Sequence, residues 1–381
     1  MKILLLAASP FLQTAYGYIG RCLGKTLALK HEVYYFGAKY YGLPYSRDGY
    51  VLLPTALSSS GQEIKTGTER AIAAINRIKP DVLVTLGDLL FLKYLEVVRE
   101  RPYWIGYFPV ESDPFRPSEI GTARKMDLAV VPTKWGQRVL KRDGVEAEYI
   151  PHPLNPSFYH VRKEKARSML LTTEDRDLKK QFIFGYCGTN VERKRIDRLM
   201  EAFKRAFKGE EDVLLWLNTP TTDPLGWDLP YMSKVLGIEK QVVFTSYVDF
   251  FPPSEEELNT IYNSWDVHVT ASSGEGFCLP VLETMSLGKP QIGTKYSSLP
   301  ELIGDSGIQV PPREIVFGNL GHRALVDIDL LAEAMRKMYE NEEARRVFSA
   351  RAEERGKEYE YKRVMVQWLS LLDRVEEDLF G

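Results

Sequence analysis

Short apolar runs alternate with amphipathic stretches along almost the whole chain, and that rhythm leaves few folds open. KILLLAA (2–8), HEVYYFG (31–37), PDVLVTLG (80–87), YWIGYFPV (103–110) and DLAVVPT (127–133) are apolar on successive residues rather than on alternate ones. A strand of that kind is covered on both faces, as in a parallel sheet flanked by helices. Between the runs, YIGRCLGKTLAL, AIAAINRIK and KWGQRVLKRDG carry apolar residues at helical spacing, and EVVRER reads as the end of another helix.

EYIPHPLNPSFYH (148–160) breaks the rhythm with three prolines, and the charged VRKEKARSMLLTTEDRDLKK follows it. A domain boundary is expected there. A second alternating set then begins: FIFGYCG, the helix RKRIDRLMEAFKRAF, DVLLWLN, QVVFTSYV, the helix SEEELNTIYNSW, DVHVTAS, a further helix, and PQIGT. Two helical stretches close the chain, DIDLLAEAMRKMYENEEARRVFSARAEERGKEY and KRVMVQWLSLLDRVEEDL. The expected fold class is α/β, with two doubly wound Rossmann-like domains. Residues 1–155 and 156–359 are the expected domains. Ligands of such sheets bind beyond the carboxyl ends of the strands, so a cleft between two such domains is the expected site.

Composition narrows the chemistry. A net charge of −2 gives no electrostatic footprint for nucleic acid. The three cysteines, Cys22, Cys187 and Cys278, are too few and too widely spaced for a disulfide framework or paired metal ligation, which fits a reducing compartment. MKILLLAASPF is too short an apolar run for a signal peptide, and no stretch reaches the roughly 18 apolar residues of a membrane helix. The expected location is the cytoplasm. The basic residues around Trp135 raise a weak peripheral membrane contact as the alternative to a solvated helix face.

The sharpest local feature is SSGEGFCLPVLETMSLGKP, from Ser272 to Pro290. DVHVTAS is the strand, SGEGF the turn at its carboxyl end, and Pro280 and Gly288 suit the two ends of a short helix from about Pro280 to Leu287. The peptide N–H groups of Phe277, Cys278 and Leu279 then lie at a helix N-terminus, a natural anion site. Glu275 stands in the turn beside Gly276, and Glu283 about one helical turn in. Carboxylates accept paired hydrogen bonds from sugar hydroxyls. Two carboxylates flanking an anion site suit a ligand with hydroxyls on both sides of a diphosphate, a nucleotide sugar. GYCGTNVERKRIDRL supplies cations: Gly188, Thr189 and Asn190 make the turn after FIFGYCG, with Asn190 a candidate donor-binding residue, and Arg193 and Lys194 stand at the start of the next helix. Two cations and a helix end neutralise a diphosphate, so neither a metal nor another cofactor is expected.

With these residues in place the chain resembles the retaining glycosyltransferases of family 4, which have the GT-B fold. The resemblance covers nearly the whole chain and is most specific in EGFCLPVLETMSLGKPQI followed by SSLPELIGDSGIQV. It implies that Glu275 contacts the donor sugar, Glu283 the ribose hydroxyls, and Arg193 and Lys194 the donor phosphates. IPHPLNPSFY resembles the family's interdomain hinge, with His152 at the usual histidine. The stretch around Gly17 resembles the glycine-containing first loop, close to donor phosphate or acceptor. The closing helix with Trp368, about 360–381, resembles the one that returns to the first domain. The chain departs from the family pattern at Thr189, where arginine is frequent, at Cys278, where glycine is usual, and at PVESDPF, which offers Glu111 and Asp113 on the acceptor side where many members carry histidine. The implied activity is transfer of a hexose from a nucleotide diphosphate sugar, GDP-mannose first and UDP-glucose second, to a hydroxyl of a sugar, glycan or lipid-linked glycan, with retained configuration. A nucleotide-sugar epimerase and a non-enzymatic two-lobed binding protein are the alternatives.

Overall fold

The computed structural model describes residues 1–55, 67–98, 100–170, 177–245, 252–318 and 321–381. The end of QVVFTSYV, residue 99 of EVVRER, and residues 171–176 of the charged stretch lie outside these. The chain divides into two compact units: Met1–Val110 with Pro114–Pro153 and Tyr361–Gly381, and Glu111–Asp113 with Leu154–Glu360.

The first unit contains β1 (Lys2–Ala8), α1 (Ala15–Leu27), β2 (Glu32–Ala38), β3 (Tyr45–Arg47), β4 (Tyr50–Pro54), α2 (Thr68–Ile78), β5 (Val82–Leu86), β6 (Tyr103–Tyr107), α3 (Pro117–Ala123), β7 (Leu128–Val131), α4 (Lys134–Arg142) and β8 (Ala147–Tyr149). Its described strands form one sheet in the order β3-β4-β2-β1-β5-β6-β7-β8. Every pairing is parallel except β3 with β4. β1 begins in register with β2, Lys2 opposite Glu32, and Ile3, Leu4 and Leu5 are fully buried between the helical layers. Two features were not expected. β3 and β4 add an edge, and EVVRER begins inside the second of two short 3₁₀ turns (Leu89–Phe91 and Lys93–Val97) rather than ending an α-helix.

The N-terminus of α1 is capped by Thr14, whose hydroxyl accepts from the Gly17 amide at 3.2 Å. Gly17 is therefore a first-turn helical residue, not a positive-φ loop residue. A Cβ there would meet the Leu12 carbonyl oxygen at 2.2 Å, so close backbone approach is what requires glycine. His152 is a buried structural residue. Its Nδ1 lies 2.6 Å from the Tyr107 hydroxyl, and burial pushes its pKa down to about 3.

The second unit contains α5 (Lys163–Met169), β9 (Phe182–Cys187), α6 (Ile196–Phe207), β10 (Val213–Asn218), α7 (Leu229–Leu236), β11 (Val242–Phe244), α8 (Glu255–Ser264), β12 (Val267–Thr270), α9 (Leu279–Ser286), β13 (Gln291–Thr294), α10 (Leu299–Ile303), β14 (Gly307–Val310), β15 (Pro312–Gly318), β16 (Gly321–Val326), α11 (Ile328–Glu340) and α12 (Glu342–Gly356). Its main sheet is wholly parallel, in the order β11-β10-β9-β12-β13-β14. The core centres on Phe184, Leu199, Phe203, Leu215, Val269 and Met335. The closing helical stretch of this unit is not continuous. Asn341 leaves helical geometry (φ −112°, ψ 92°), and its side chain accepts from the Ala344 amide to start α12. β15 and β16 form an antiparallel hairpin that was not expected. The last helix, α13 (Tyr361–Phe380), belongs to the first unit. There its Trp368 is buried against Tyr107, the ring centroids 4.9 Å apart, and Asp373 pairs with Lys30 at 2.7 Å.

Candidate active site

The site of the second unit is built where β9 and β12 end. β9 and β12 are neighbours, with Val267 opposite Phe184, so the turns after them lie side by side. After β9 the chain makes a 3₁₀ turn, Glu192–Lys194, not the first turn of α6 as expected. Arg195, at φ 51°, then redirects the chain into α6. After β12, Ser272–Cys278 loops into α9.

The two turns are tied through Arg193. Its carbonyl accepts from the Ser273 amide at 2.8 Å and the Ser273 hydroxyl at 2.9 Å, while its Nη1 donates to the Gly274 carbonyl at 2.6 Å. Ser297 and Ser298 hold the loop from the other side. The Glu275 amide donates to Ser297 Oγ at 2.8 Å, and Ser298 Oγ donates to the Phe277 carbonyl at 3.1 Å.

This scaffold brings Glu275, Arg193 and Lys194 together. Lys194 Nζ donates to Glu275 Oε1 at 2.6 Å and Arg193 Nη1 to Oε2 at 2.9 Å. Burial by itself would raise the Glu275 carboxyl, but Lys194 and Arg193 outweigh it and hold the pKa down at about 2. Burial also opposes the Arg193 charge, and Glu275 and Glu111 more than offset it, raising its pKa. Each carboxylate oxygen of Glu275 thus has its own cation.

Glu283 lies on α9 in a different environment. It is buried, and among its described neighbours the Tyr262 hydroxyl donates to its Oε2 at 2.9 Å. Burial dominates and pushes its pKa up to about 7. The two glutamates of one motif therefore differ in state at neutral pH: Glu275 is fully ionised and Glu283 sits near its midpoint.

The helix start is displaced by one residue from the expected one. α9 begins at Leu279, with Cys278 as its N-cap at φ 87°, the left-handed region that favours glycine. Burial pushes the Cys278 thiol up to about 12, so it stays protonated at neutral pH. Phe277 packs its ring edge-on to Tyr359 at 5.8 Å, and Gly276 completes the turn.

Asn190 is drawn into the scaffold. Its Nδ2 donates to the carbonyls of Pro220 (3.1 Å) and Trp227 (2.7 Å), and its Oδ1 accepts from the Trp227 amide. It braces the loop after β10. Gly17 belongs to the first unit. His268 is fully buried on β12 with its Nδ1 2.8 Å from Gln291 Oε1, a packed strand residue.

Glu111 and Asp113, expected on the first domain, are part of the second unit. Their backbone is bound there: Arg323 Nη1 donates to the Glu111 carbonyl at 3.1 Å, His322 Nδ1 lies 3.1 Å from the Asp113 carbonyl, and the Asp113 amide donates to the Tyr296 hydroxyl at 3.3 Å. The Glu111 carboxylate stands 3.4 Å from Arg193 Nε and 3.6 Å from Arg323 Nη2. Arg323, on β16, is a residue that sequence reasoning missed. PREIVFGNLGHRALV, with its Gly-Asn-Leu-Gly turn between apolar runs, carried the hairpin signal that would have found it. Among the described residues no three His, Cys, Asp or Glu side chains converge as metal ligands, and no helix is long and apolar enough to cross a membrane.

The stretch from the start of β9 to the end of α11, residues 181–341, matches the family model of the glycosyl transferases group 1. The chain is similar to the O-antigen chain mannosyltransferase B of Escherichia coli, with 25% identity over 191 residues that cover 49% of this chain and 44% of that protein. The match thus spans less than half the length of this curated relative. The sucrose-phosphate synthase of Thermosynechococcus elongatus is a structural neighbour at TM-score 0.79 and 16% identity, covering 99% of this chain and 100% of that one. The Anabaena protein HepE, solved in complex with UDP-glucose, superposes at TM-score 0.72 and 14% identity over 98% of this chain and all of its own. Such likeness shows the fold, which is GT-B, with two Rossmann-like units.

Proposed function

We propose that the protein transfers a hexose from a nucleotide diphosphate sugar to a hydroxyl acceptor with retention of configuration, as a family 4 enzyme. The observation that carries this reading is the buried Lys194–Glu275–Arg193 cluster at the entry to α9, with Glu283 on the same helix. As the bond between the sugar's anomeric carbon and the diphosphate lengthens, negative charge grows on the leaving phosphate. Arg193 and Lys194, held in place by the turns after β9 and β12, attract that charge at no cost of reorganisation. Their positive charge does the work that a metal does in other phosphate sites, so the reading asks for none. Glu275 turns its carboxylate to the hydroxyls of the donor hexose. Glu283 accepts from the ribose hydroxyls, a role its environment suits once it is ionised. The acceptor oxygen bonds to the anomeric carbon on the face the phosphate leaves, and its proton passes to a leaving-phosphate oxygen.

GDP-mannose is the first donor of this proposal, because the O-antigen relative is named a mannosyltransferase. UDP-glucose is the second, because HepE was solved with it. The acceptor is a sugar, glycan or lipid-linked glycan. The test is a matrix of GDP-mannose, GDP, UDP-glucose and UDP-N-acetylglucosamine against simple mannosides, glucosides and lipid-linked glycans, read by mass spectrometry for transfer and by NMR for the new anomeric configuration. Transfer from GDP-mannose with an α-linked product is expected. An inverted product, or epimerised nucleotide sugar formed without acceptor, overturns the reading.

A further inference from the structure

The cluster at Arg193 contains more positive charge than the paired cations of the motif. The β15–β16 hairpin brings a third cation to it. The Ala324 amide donates to the Ser273 carbonyl at 2.9 Å, which lays β16 along the very turn that carries Glu275. Arg323 is thereby buried beside Gly274, so close that a Cβ on Gly274 would stand 2.9 Å from its Nη1. Three cations, Arg193, Lys194 and Arg323, face two carboxylates, Glu111 and Glu275. The carboxylates are not equivalent. Glu275 is 5% exposed at its side chain and meets its cations at 2.6 and 2.9 Å, whereas Glu111 is 28% exposed and its Oε2 stands 3.4 and 3.6 Å from the two guanidinium groups it bridges. Charge-assisted hydrogen bonds of this type close to about 2.7–2.9 Å, so both arginines have room to draw an anionic oxygen nearer than Glu111 lies.

We infer that Arg323 is a further phosphate-binding residue of this site, and that the Glu111 carboxylate holds the place between Arg193 and Arg323 that a phosphate oxygen takes when it binds. The inference deepens the proposed reading of the site and rests on it for the identity of the ligand. The anion is a phosphate oxygen, from the donor's diphosphate or from a phosphate on the acceptor. Guanidinium is suited to this exchange because it donates to carboxylate and phosphate oxygens alike.

The test is calorimetric titration of wild type, Arg323→Gln and Glu111→Gln with pyrophosphate and with GDP and UDP, and competition between pyrophosphate and the nucleotides. Arg323→Gln is expected to weaken pyrophosphate and nucleotide about tenfold or more, since a hydrogen bond to a charged group is lost. Glu111→Gln is expected to tighten both about threefold or more, because the resident negative charge is gone. A purely structural Arg323–Glu111 pair would lower affinity, or leave it alone, in both variants. The opposite signs therefore separate the two roles even if Arg323→Gln folds poorly. Pyrophosphate that binds, responds to both variants and is not displaced by nucleotide assigns the subsite to an acceptor phosphate and sinks the donor reading alone. A change under twofold in Arg323→Gln, weaker binding in Glu111→Gln, or a wild type that binds neither pyrophosphate nor nucleotide overturns the inference.

Discussion

Glu283→Gln should change how the stability of the protein depends on pH, and the direction follows from burial. The Glu283 carboxyl is raised from the ordinary 4.5 to about 7 by burial, which the Tyr262 hydroxyl opposes and Glu255 reinforces. Between these two values the folded protein holds a proton that the unfolded chain has released. Stability attributable to this group is therefore full below pH 4.5 and is lost as pH rises to about 7. At 1.36 kcal/mol per pKa unit the whole loss is about 3 kcal/mol. Glutamine keeps the shape and neutrality of the protonated acid and has nothing to ionise. The stability difference between Glu283→Gln and wild type should accordingly move by about 3 kcal/mol in favour of the variant from pH 4.5 to pH 8. Urea unfolding at half-unit pH steps, followed by tryptophan fluorescence, measures that difference. It is a comparison of two proteins at each pH, so the titrations common to both cancel. Parallel pH profiles for the two proteins would refute the argument and show that Glu283 is solvated or matched by another charge. The same ionisation bears on the proposed function: hydroxyls that donate to Glu283 favour its carboxylate, so nucleotide binding should release a fraction of a proton near pH 7.

Two further substitutions probe other parts of the molecule. Lys194→Ala removes a cation from the proposed leaving-group site while Glu275 keeps Arg193 at 2.9 Å, so kcat/KM should fall about 100-fold or more with the melting profile largely kept; retention of over a third of the activity contradicts the assignment. Gly17→Ala drives a methyl group against the Leu12 carbonyl oxygen, at 2.2 Å before relaxation, and should lower stability by about 1–3 kcal/mol; a melting temperature unchanged or raised would mean the first turn of α1 yields freely.

The parallel sheets were legible because their strands are buried on both faces: β1, β5 and β9 read as unbroken apolar runs and could not be amphipathic edges. The end of α11 and the start of α12 are less legible. Asn341 interrupts the helix with a cap, but the residues on either side are strong helix formers, and their continuous polarity hides the break. The β15–β16 hairpin opens with two prolines, Pro311 and Pro312, which read as loop. At the site, the residue types were legible and their partners were not. Glu275 and Lys194 are 81 residues apart in sequence, and nothing local says that the turn after β12 lies against the turn after β9. The sequence therefore shows Glu275 as a sugar ligand without the two cations that hold it ionised. Asn190 is a candidate ligand by its place in the turn, yet its amide is consumed by Pro220 and Trp227, a demand set by a loop thirty residues on.

The composition of the second unit constrains how such chains can be cut and recombined. Its residues do not form one stretch of sequence: Glu111–Asp113 belong to it although the residues before and after them belong to the first unit. A gene fragment covering Leu154–Glu360 would encode the entire parallel sheet, the motif with both glutamates, and Arg323, and would still lack Glu111. Such a fragment would carry Arg193 and Arg323 without one of the carboxylates that faces them. Exchange of the second unit by a crossover at the 155/156 boundary inherits the same omission. The unit is three residues longer than the stretch Leu154–Glu360, and those three come from a part of the gene that a sequence-based boundary assigns elsewhere.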